Sequence, residues 1–254
     1  MILPALAAQA SAVDAERAFA ATAHVKGQWT AFRRYASDDA VMFVPHAVKA
    51  QKWLKARQDP PVSVQLRPAT VFESCDGQRA VTTGPWTGQS GQHGTFTTAW
   101  VRSEDGWHWD MDHGRDTPQP VAAPAEVRHV RPACDALPTD ADRDDRNQRL
   151  LSLFGGAGRS ESEWYRERVA LDGFADDVLV RRDDAMRTVG APGDLPELAL
   201  PGVLVAGESQ DGTLHWRSAP IKGRPGAHDL IVSQWQGRAR GWRIVLYETT
   251  GMTQ

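Results

Sequence analysis

Apolar and polar positions alternate with two different periods along this chain. From Val13 to Ala23 the apolar residues Phe19, Ala20 and Ala23 follow helical spacing, with Asp14 and Glu16 near the start, where acidic side chains suit a helix N-terminus. Gly27 interrupts, and Trp29, Phe32 and Ala36 mark the buried side of a short second helix ending near Tyr35. Asp38-Asp39 turns the chain into an apolar strand, 40–44, stopped by Pro45, and 47–57 reads as a third helix closed by Asp59-Pro60-Pro61. From Val62 the period changes to two. Strands are expected over 62–73, 79–86, 95–102 and 107–113, separated by Asp76-Gly77, a glycine-rich loop over 88–94, and Asp105-Gly106. Helices followed by an antiparallel meander define an α+β unit.

The pattern then repeats. Shifting the sequence by 135 residues without a gap superposes Glu73-Ser74-x-Asp76-Gly77 on Glu208-Ser209-x-Asp211-Gly212, and Pro85, Gly88, Gly91, His93, Trp100 and Gly106-Trp107 on their counterparts. Of 35 aligned positions, 11 are identical, most of them turn glycines and tryptophans, as duplicated strands and turns would leave them. The stretch between the copies, 117–144, holds prolines and alanines without periodicity and reads as a linker. The second copy repeats an Asp-Asp turn and strand at 176–180, shows helical patterns around Leu150 to Phe154 and Trp164 to Leu171, and supports a third helix poorly over 190–201. The expected organisation is 1–11 as a residual export-signal-like segment, 12–116 as a first domain, 117–144 as the linker, and 145–254 as a second, degenerate domain whose pocket groups look eroded.

Composition narrows the function classes. The 254 residues carry 29 basic and 32 acidic side chains, interspersed, so no basic stripe addresses a phosphate polymer. No run approaches the length of a membrane span. Ala8-Gln9-Ala10 and Ala10-Ser11-Ala12 have the small-x-small form of a signal-peptidase site, although the basic and most of the apolar parts of such a signal are missing; a frayed, alanine-rich terminus is the other reading. Export, to a periplasm or medium, would permit a Cys75–Cys134 bridge, with two free thiols as the alternative.

The order helix, helix, Tyr35-x-x-Asp38-Asp39-Ala40, strand, helix and four-strand meander ending in Trp-x-Trp resembles the nuclear transport factor 2-like superfamily, over most of 12–116 and more weakly over 145–250. The resemblance implies two tandem cone-shaped domains, each with helices packed on a strongly curved antiparallel sheet and an apolar pocket at the open end. It also implies pairing through the outer sheet faces, within the chain as a pseudo-dimer or between chains as a homodimer. Ketosteroid isomerases of that superfamily carry a general-base aspartate just before a proline at the end of the first strand. The matching positions here are Val44 and Arg182, so isomerase chemistry by that route is not expected.

Candidate chemistry rests on a few side chains. Strand parity places Trp107, Trp109, Met111 and His113 on one face of the last strand and His108, Asp110 and Asp112 on the other. His113 is then a polar group at the rim of an apolar pocket, a candidate base, with a satisfied strand-end histidine as the alternative. His46, after Pro45, is a candidate partner across the pocket, and otherwise an exposed loop residue. Trp86, Trp100, Trp109, Phe43 and Tyr35 are candidate ligand-wall residues, Trp86 being the one specific to the first copy. His108, Asp110 and Asp112 read as a solvated strand face rather than a metal site, for want of a third ligand segment. No phosphate-binding loop, nucleophile elbow or Cys-x-x-Cys occurs. The expectation is a small apolar or aromatic ligand and no cofactor. An enzyme of dehydratase, cyclase or hydrolase type using His113, or a pure interaction module, are the competing readings.

Overall fold

A computed structural model describes residues 10–44, 47–155, 174–182, 185–188, 205–220 and 227–250. The chain opens with α1 (Ala12–Lys26) and α2 (Gln28–Tyr35), then β1 (Ala36–Phe43), β2 (Ala47–Lys49) and α3 (Ala50–Lys55). Strands β3 (Gln65–Leu66), β4 (Thr70–Glu73), β5 (Arg79–Thr87), β6 (His93–Ser103), β7 (Gly106–Asp116) and β8 (Arg128–Val130) follow. After α4 (Asp140–Gly155) come β9 (Phe174–Arg182), β10 (Ala185–Thr188), β11 (Val205–Glu208), β12 (Leu214–Pro220), β13 (His228–Trp235) and β14 (Trp242–Thr250).

Helix α1 starts on a capping box in which Ser11 Oγ accepts the Asp14 N–H and Asp14 Oδ2 accepts the Ser11 N–H. Its inner positions Phe19 and Ala23 pack with Phe32 of α2 and Leu54 of α3. The third helix is shorter than the pattern predicts, because 47–49 form a hairpin partner for β1. The strand expected over 62–73 is two pieces, broken at Pro68, which has no N–H to give a ladder. Opposite the break, the Arg67 carbonyl occupies the space of a Cβ at position 84, only 2.0 Å away, so residue 84 must be glycine.

The first sheet has the order β2-β1-β7-β6-β5-β4-β8, with β3 pairing β5. Its pairs are antiparallel except β1/β7 and β4/β8, which are parallel. The stretch read as a linker therefore contributes an edge strand and the start of a helix. Thr139 and Asp142 form a second capping box for α4. The second sheet has the order β10-β9-β14-β13-β12-β11, with β9/β14 parallel.

The two sheets share a register where they carry their parallel pair. Val41 and Phe43 pair with Met111 and His113, and Leu179 and Arg181 pair with Leu246 and Glu248. The ungapped sequence repeat does not hold on the next strand. Thr97 pairs with His113, but Leu230 rather than Val232 pairs with Glu248, a slip of two residues on β13. An even slip keeps every side chain on its face, so the pattern tolerates it.

Two cores result. One lies between the helices and the curved inner face of the first sheet, built on Phe19, Phe32, Leu54, Trp100 and Trp109. The other joins Val41, Phe72, Val81, Ala99 and Met111 of the first sheet to Leu214, Trp216, Leu230, Val232 and Leu246 of the second. The helical pattern around Trp164 and the segment 190–201 lie outside the described residues.

Candidate functional site

A bulge on β7 decides which groups face the first cone. Ala99 pairs with Met111 but Trp100 pairs with Trp109, leaving Asp110 as the extra residue. Beyond it the alternation inverts. Trp107 and Trp109 pack into the helix-covered core, whereas Met111 and His113 turn to the opposite face, toward the second sheet. Asp112 turns inward and is 7% exposed. The face assignment from strand parity is thus overturned from Met111 onward, and His113 is not at the rim of the first cone. Asp110 pairs with Arg79, and Asp112 is no part of a solvated face.

Inside the cone Asp112 has a carboxyl neighbour that the sequence analysis passed over. Glu16 lies on the buried side of α1, one and two turns before Phe19 and Ala23, and is wholly buried. Thr82 Oγ1 donates to Glu16 Oε2 at 2.6 Å, and Trp100 Nε1 donates to the same oxygen at 3.1 Å and to Thr82 Oγ1 at 2.9 Å. Thr98 Oγ1 donates to Asp112 Oδ2 at 2.7 Å. Glu16 Oε1 has no hydrogen-bond partner. Burial, with the charge of Asp112 adding to it, pushes the Glu16 carboxyl up to about 8, against the hydrogen bonds it accepts. Burial pushes Asp112 up to about 6. Near neutrality Glu16 keeps its proton and can donate from Oε1, while Asp112 is largely ionised. The available signal in the sequence was a glutamate set into the apolar stripe of α1.

The walls of this chamber are largely the aromatic residues singled out above. Trp100 and Trp109 are fully buried, and Tyr35 stands edge-on to Trp100 with centroids 6.4 Å apart. Phe19 and Phe32 meet at 4.8 Å, and Phe32 reaches Trp109 at 6.0 Å. Trp86 is half-buried and lies across Gly94 and Gly114. A Cβ at position 94 would sit 2.6 Å from its Nε1, and that Nε1 has no partner. Phe43 is not in this wall. It stacks on His228 at 3.7 Å and 16°, on the face toward the second sheet. His46 lies outside the described residues.

His113 instead belongs to a buried charge cluster between the sheets. Its Nε2 donates to Glu248 Oε2 at 2.7 Å, and its Nδ1 lies 3.3 Å from His228 Nε2. Thr97 Oγ1 donates to Glu248 Oε2 at 2.7 Å, and Arg181 Nη1 donates to Glu248 Oε1 at 2.6 Å and to Thr83 Oγ1. Desolvation alone would raise Glu248; Arg181 and then His113 overcome it and hold the carboxyl down at about 2. With 1% exposure for His113 and Glu248, the cluster has no access for a substrate. Cys75 and Cys134 are bridged, with Cα atoms 5.6 Å apart. A cleft of about 320 Å³ beside the bridge is lined by Ser11, Arg79, Arg102, Trp107 and Arg131, and does not include Trp86. Among the described residues no three His, Cys, Asp or Glu side chains are placed to share a metal ion, and no helix is long and apolar enough to cross a membrane.

No family model and no curated protein matches the chain. Solved structures with a similar backbone include a "putative ketosteroid isomerase" from Parabacteroides distasonis, with 17% identity over 42% of this chain and 88% of that one and a TM-score of 0.36. An NTF-2 like protein of unknown function from Shewanella oneidensis has 15% identity over 39% and 91%, with a TM-score of 0.33. An NTF2-like protein from Bacteroides fragilis spans 93% of this chain and 96% of its own, with 8% identity and a TM-score of 0.23. These likenesses concern the fold alone. In its helix pair, its parallel first and last strands and its curved meander, this α+β chain has the cone fold of the nuclear transport factor 2-like superfamily.

Proposed function

We propose that the first cone binds a small, mostly apolar or aromatic molecule carrying one hydrogen-bonding oxygen. The observation that carries this reading is the pair of unpartnered buried atoms on its inner face, Glu16 Oε1 and Trp86 Nε1. A buried polar atom without a partner costs about 1–3 kcal/mol, and a ligand carbonyl or hydroxyl would relieve that cost. The aromatic wall of Tyr35, Trp100 and Trp109 supports an apolar ligand body. In the same reading the protein is exported to a periplasm or medium, which the Cys75–Cys134 bridge supports. Its two halves form an internal pseudo-dimer, which the core shared by the sheets supports.

A second reading keeps the site and adds chemistry. Glu16 near 8 and Asp112 near 6 bracket neutral pH, the arrangement in which one carboxyl donates a proton while the other accepts one. This replaces His113 as the centre of a dehydratase- or cyclase-like activity.

Native and denaturing mass spectra of the purified protein test the binding reading, with indole and cyclohexanone added as probes. A small molecule released from wild type but not from Trp86→Ala, or a probe retained by wild type and lost in Glu16→Ala, is the expected result. Neither a released mass nor a retained probe would leave an interaction module.

A further inference from the structure

The concave face of the second sheet, expected from the sequence to be degenerate, is crowded with buried polar groups. On β12 Leu214 and Trp216 pack toward the first sheet, so His215 and Arg217 face away from it. On β13 Leu230 and Val232 pack toward the first sheet, so Ile231 and Ser233 lie on that same concave side. His215 pairs directly with Ser233, and Arg217 with Ile231, which in turn pairs with Tyr247. From α4, Arg146 sets its guanidinium 4.6 Å over the Trp242 ring. All of these side chains are buried: His215 is 8% exposed, Arg146 3% and Ser233 2%.

Three atoms of this group, His215 Nδ1, Ser233 Oγ and Trp242 Nε1, have no hydrogen-bond partner. They are not scattered. Arg146 is in contact with Trp242, and together with Arg217 it helps hold His215 neutral, since burial first and then those two guanidiniums push its pKa down to about 3. The charges are nearly balanced. Arg146 makes a two-pronged contact with Glu208 at 3.0 and 3.2 Å, which Arg143 also approaches at 3.9 Å, and Arg217 lies 3.5 Å from Asp229. Among these described residues, three guanidiniums face two carboxyls, a surplus of one positive charge. Donors in excess, one spare positive charge and the paired rings of Trp235 and Trp242, 6.2 Å apart, define a complementary ligand.

We propose that this face is a second ligand site, independent of the first cone, and that it takes a small aromatic monocarboxylate. Arg146, His215 and Ser233 hold the carboxylate, and Trp235 and Trp242 lie against the ring. Trp242 Nε1 and Ser233 Oγ donate to the carboxylate oxygens, and His215 donates from Nδ1 as the neutral tautomer protonated there.

Benzoate titrated into the full chain by calorimetry tests this, with inorganic phosphate as competitor and a native mass spectrum to detect any carboxylate already retained. The expected result is a benzoate Kd below about 1 mM, or a retained carboxylate. Ser233→Ala, which removes a hydroxyl with little change of volume, should weaken binding by about tenfold, as should His215→Gln. Glu16→Gln in the first cone should leave it unchanged, so the two sites fail or stand separately. Three results would overturn the proposal. One is neither uptake nor a retained carboxylate. Another is uptake indifferent to Ser233→Ala in a variant whose circular dichroism matches wild type. The third is phosphate displacing benzoate at equal concentration.

Discussion

Asp76 and Asp211 each receive a backbone hydrogen bond from the other: Asp76 N–H donates to Asp211 Oδ2 at 2.6 Å, and Asp211 N–H to Asp76 Oδ2 at 3.2 Å. The two residues are 135 positions apart, the shift that superposes the sequence copies, and His113 and Glu248 meet across the same separation. Reciprocal contact between equivalent positions is the geometry of a two-fold interface, in which one patch faces its own counterpart. The pairing positions have diverged in chemistry at one site and not at the other. Asp76 and Asp211 are identical, whereas a histidine faces a glutamate deeper in. That divergence turns a like-residue contact into a buried ion pair.

Asp76 and Asp211 should therefore be energetically coupled. Asp76→Ala and Asp211→Ala are each expected to destabilise by about 1–2 kcal/mol, since each loses hydrogen bonds within its own turn as well as across the interface. The double variant should cost less than the sum by about 0.5 kcal/mol or more. Urea unfolding of the four proteins measures this, and strict additivity would show that the reciprocal pair contributes nothing as a pair.

Glu248→Gln should be among the most destabilising single changes. It leaves Arg181 buried at 3% exposure without its counter-charge, for a loss of about 3–5 kcal/mol. His113→Ala should lower the melting temperature as well, with no loss of ligand uptake by the first cone. Uptake abolished in a His113→Ala protein of unchanged stability would restore His113 as a functional residue.

Stability should depend on pH in two opposed ways. Glu16 has its folded-state pKa raised from 4.5 to about 8, so its contribution is fully present below about 4.5 and is lost as pH rises through about 8. Asp112 acts in the same sense between 3.8 and about 6. Glu248, lowered to about 2, contributes stability above about 4.5 and loses it as pH falls toward 2. Thermal melts of wild type and Glu16→Gln from pH 4 to 9 separate these: the alkaline decline should flatten in Glu16→Gln. An identical decline in both would place Glu16 in water rather than in the core.

Reduction of the Cys75–Cys134 bridge, which closes a segment of 59 residues, should cost about 4 kcal/mol in the chain-entropy model. The bridge ties the β4–β5 turn to the segment leading into α4, beside the turn that carries Thr213. A denaturant midpoint unchanged by reductant would mean that the tie adds nothing the packed sheets do not already impose.

The sequence by itself determined the element types, the α+β class and the repeat, because amphipathic periods, turn glycines and tryptophan spacings are local and survive duplication. It also marked Trp86, Trp100 and Trp109 as residues of the first cone, since their strand parity holds on the near side of the bulge. It could not locate the site. One extra residue at Asp110 inverts the alternation, exchanging His113 for Asp112 at the inner face, and no local pattern marks that residue as unpaired. The 117–144 segment lacks periodicity because β8 spans three residues and α4 begins only at Asp140. The polar face of the second sheet was read as eroded because its groups come from β12, β13, β14 and α4, with no motif joining them. Whether a buried carboxyl or imidazole is satisfied, charged or open to a ligand depends on what packs against it, and only the tertiary structure decides that.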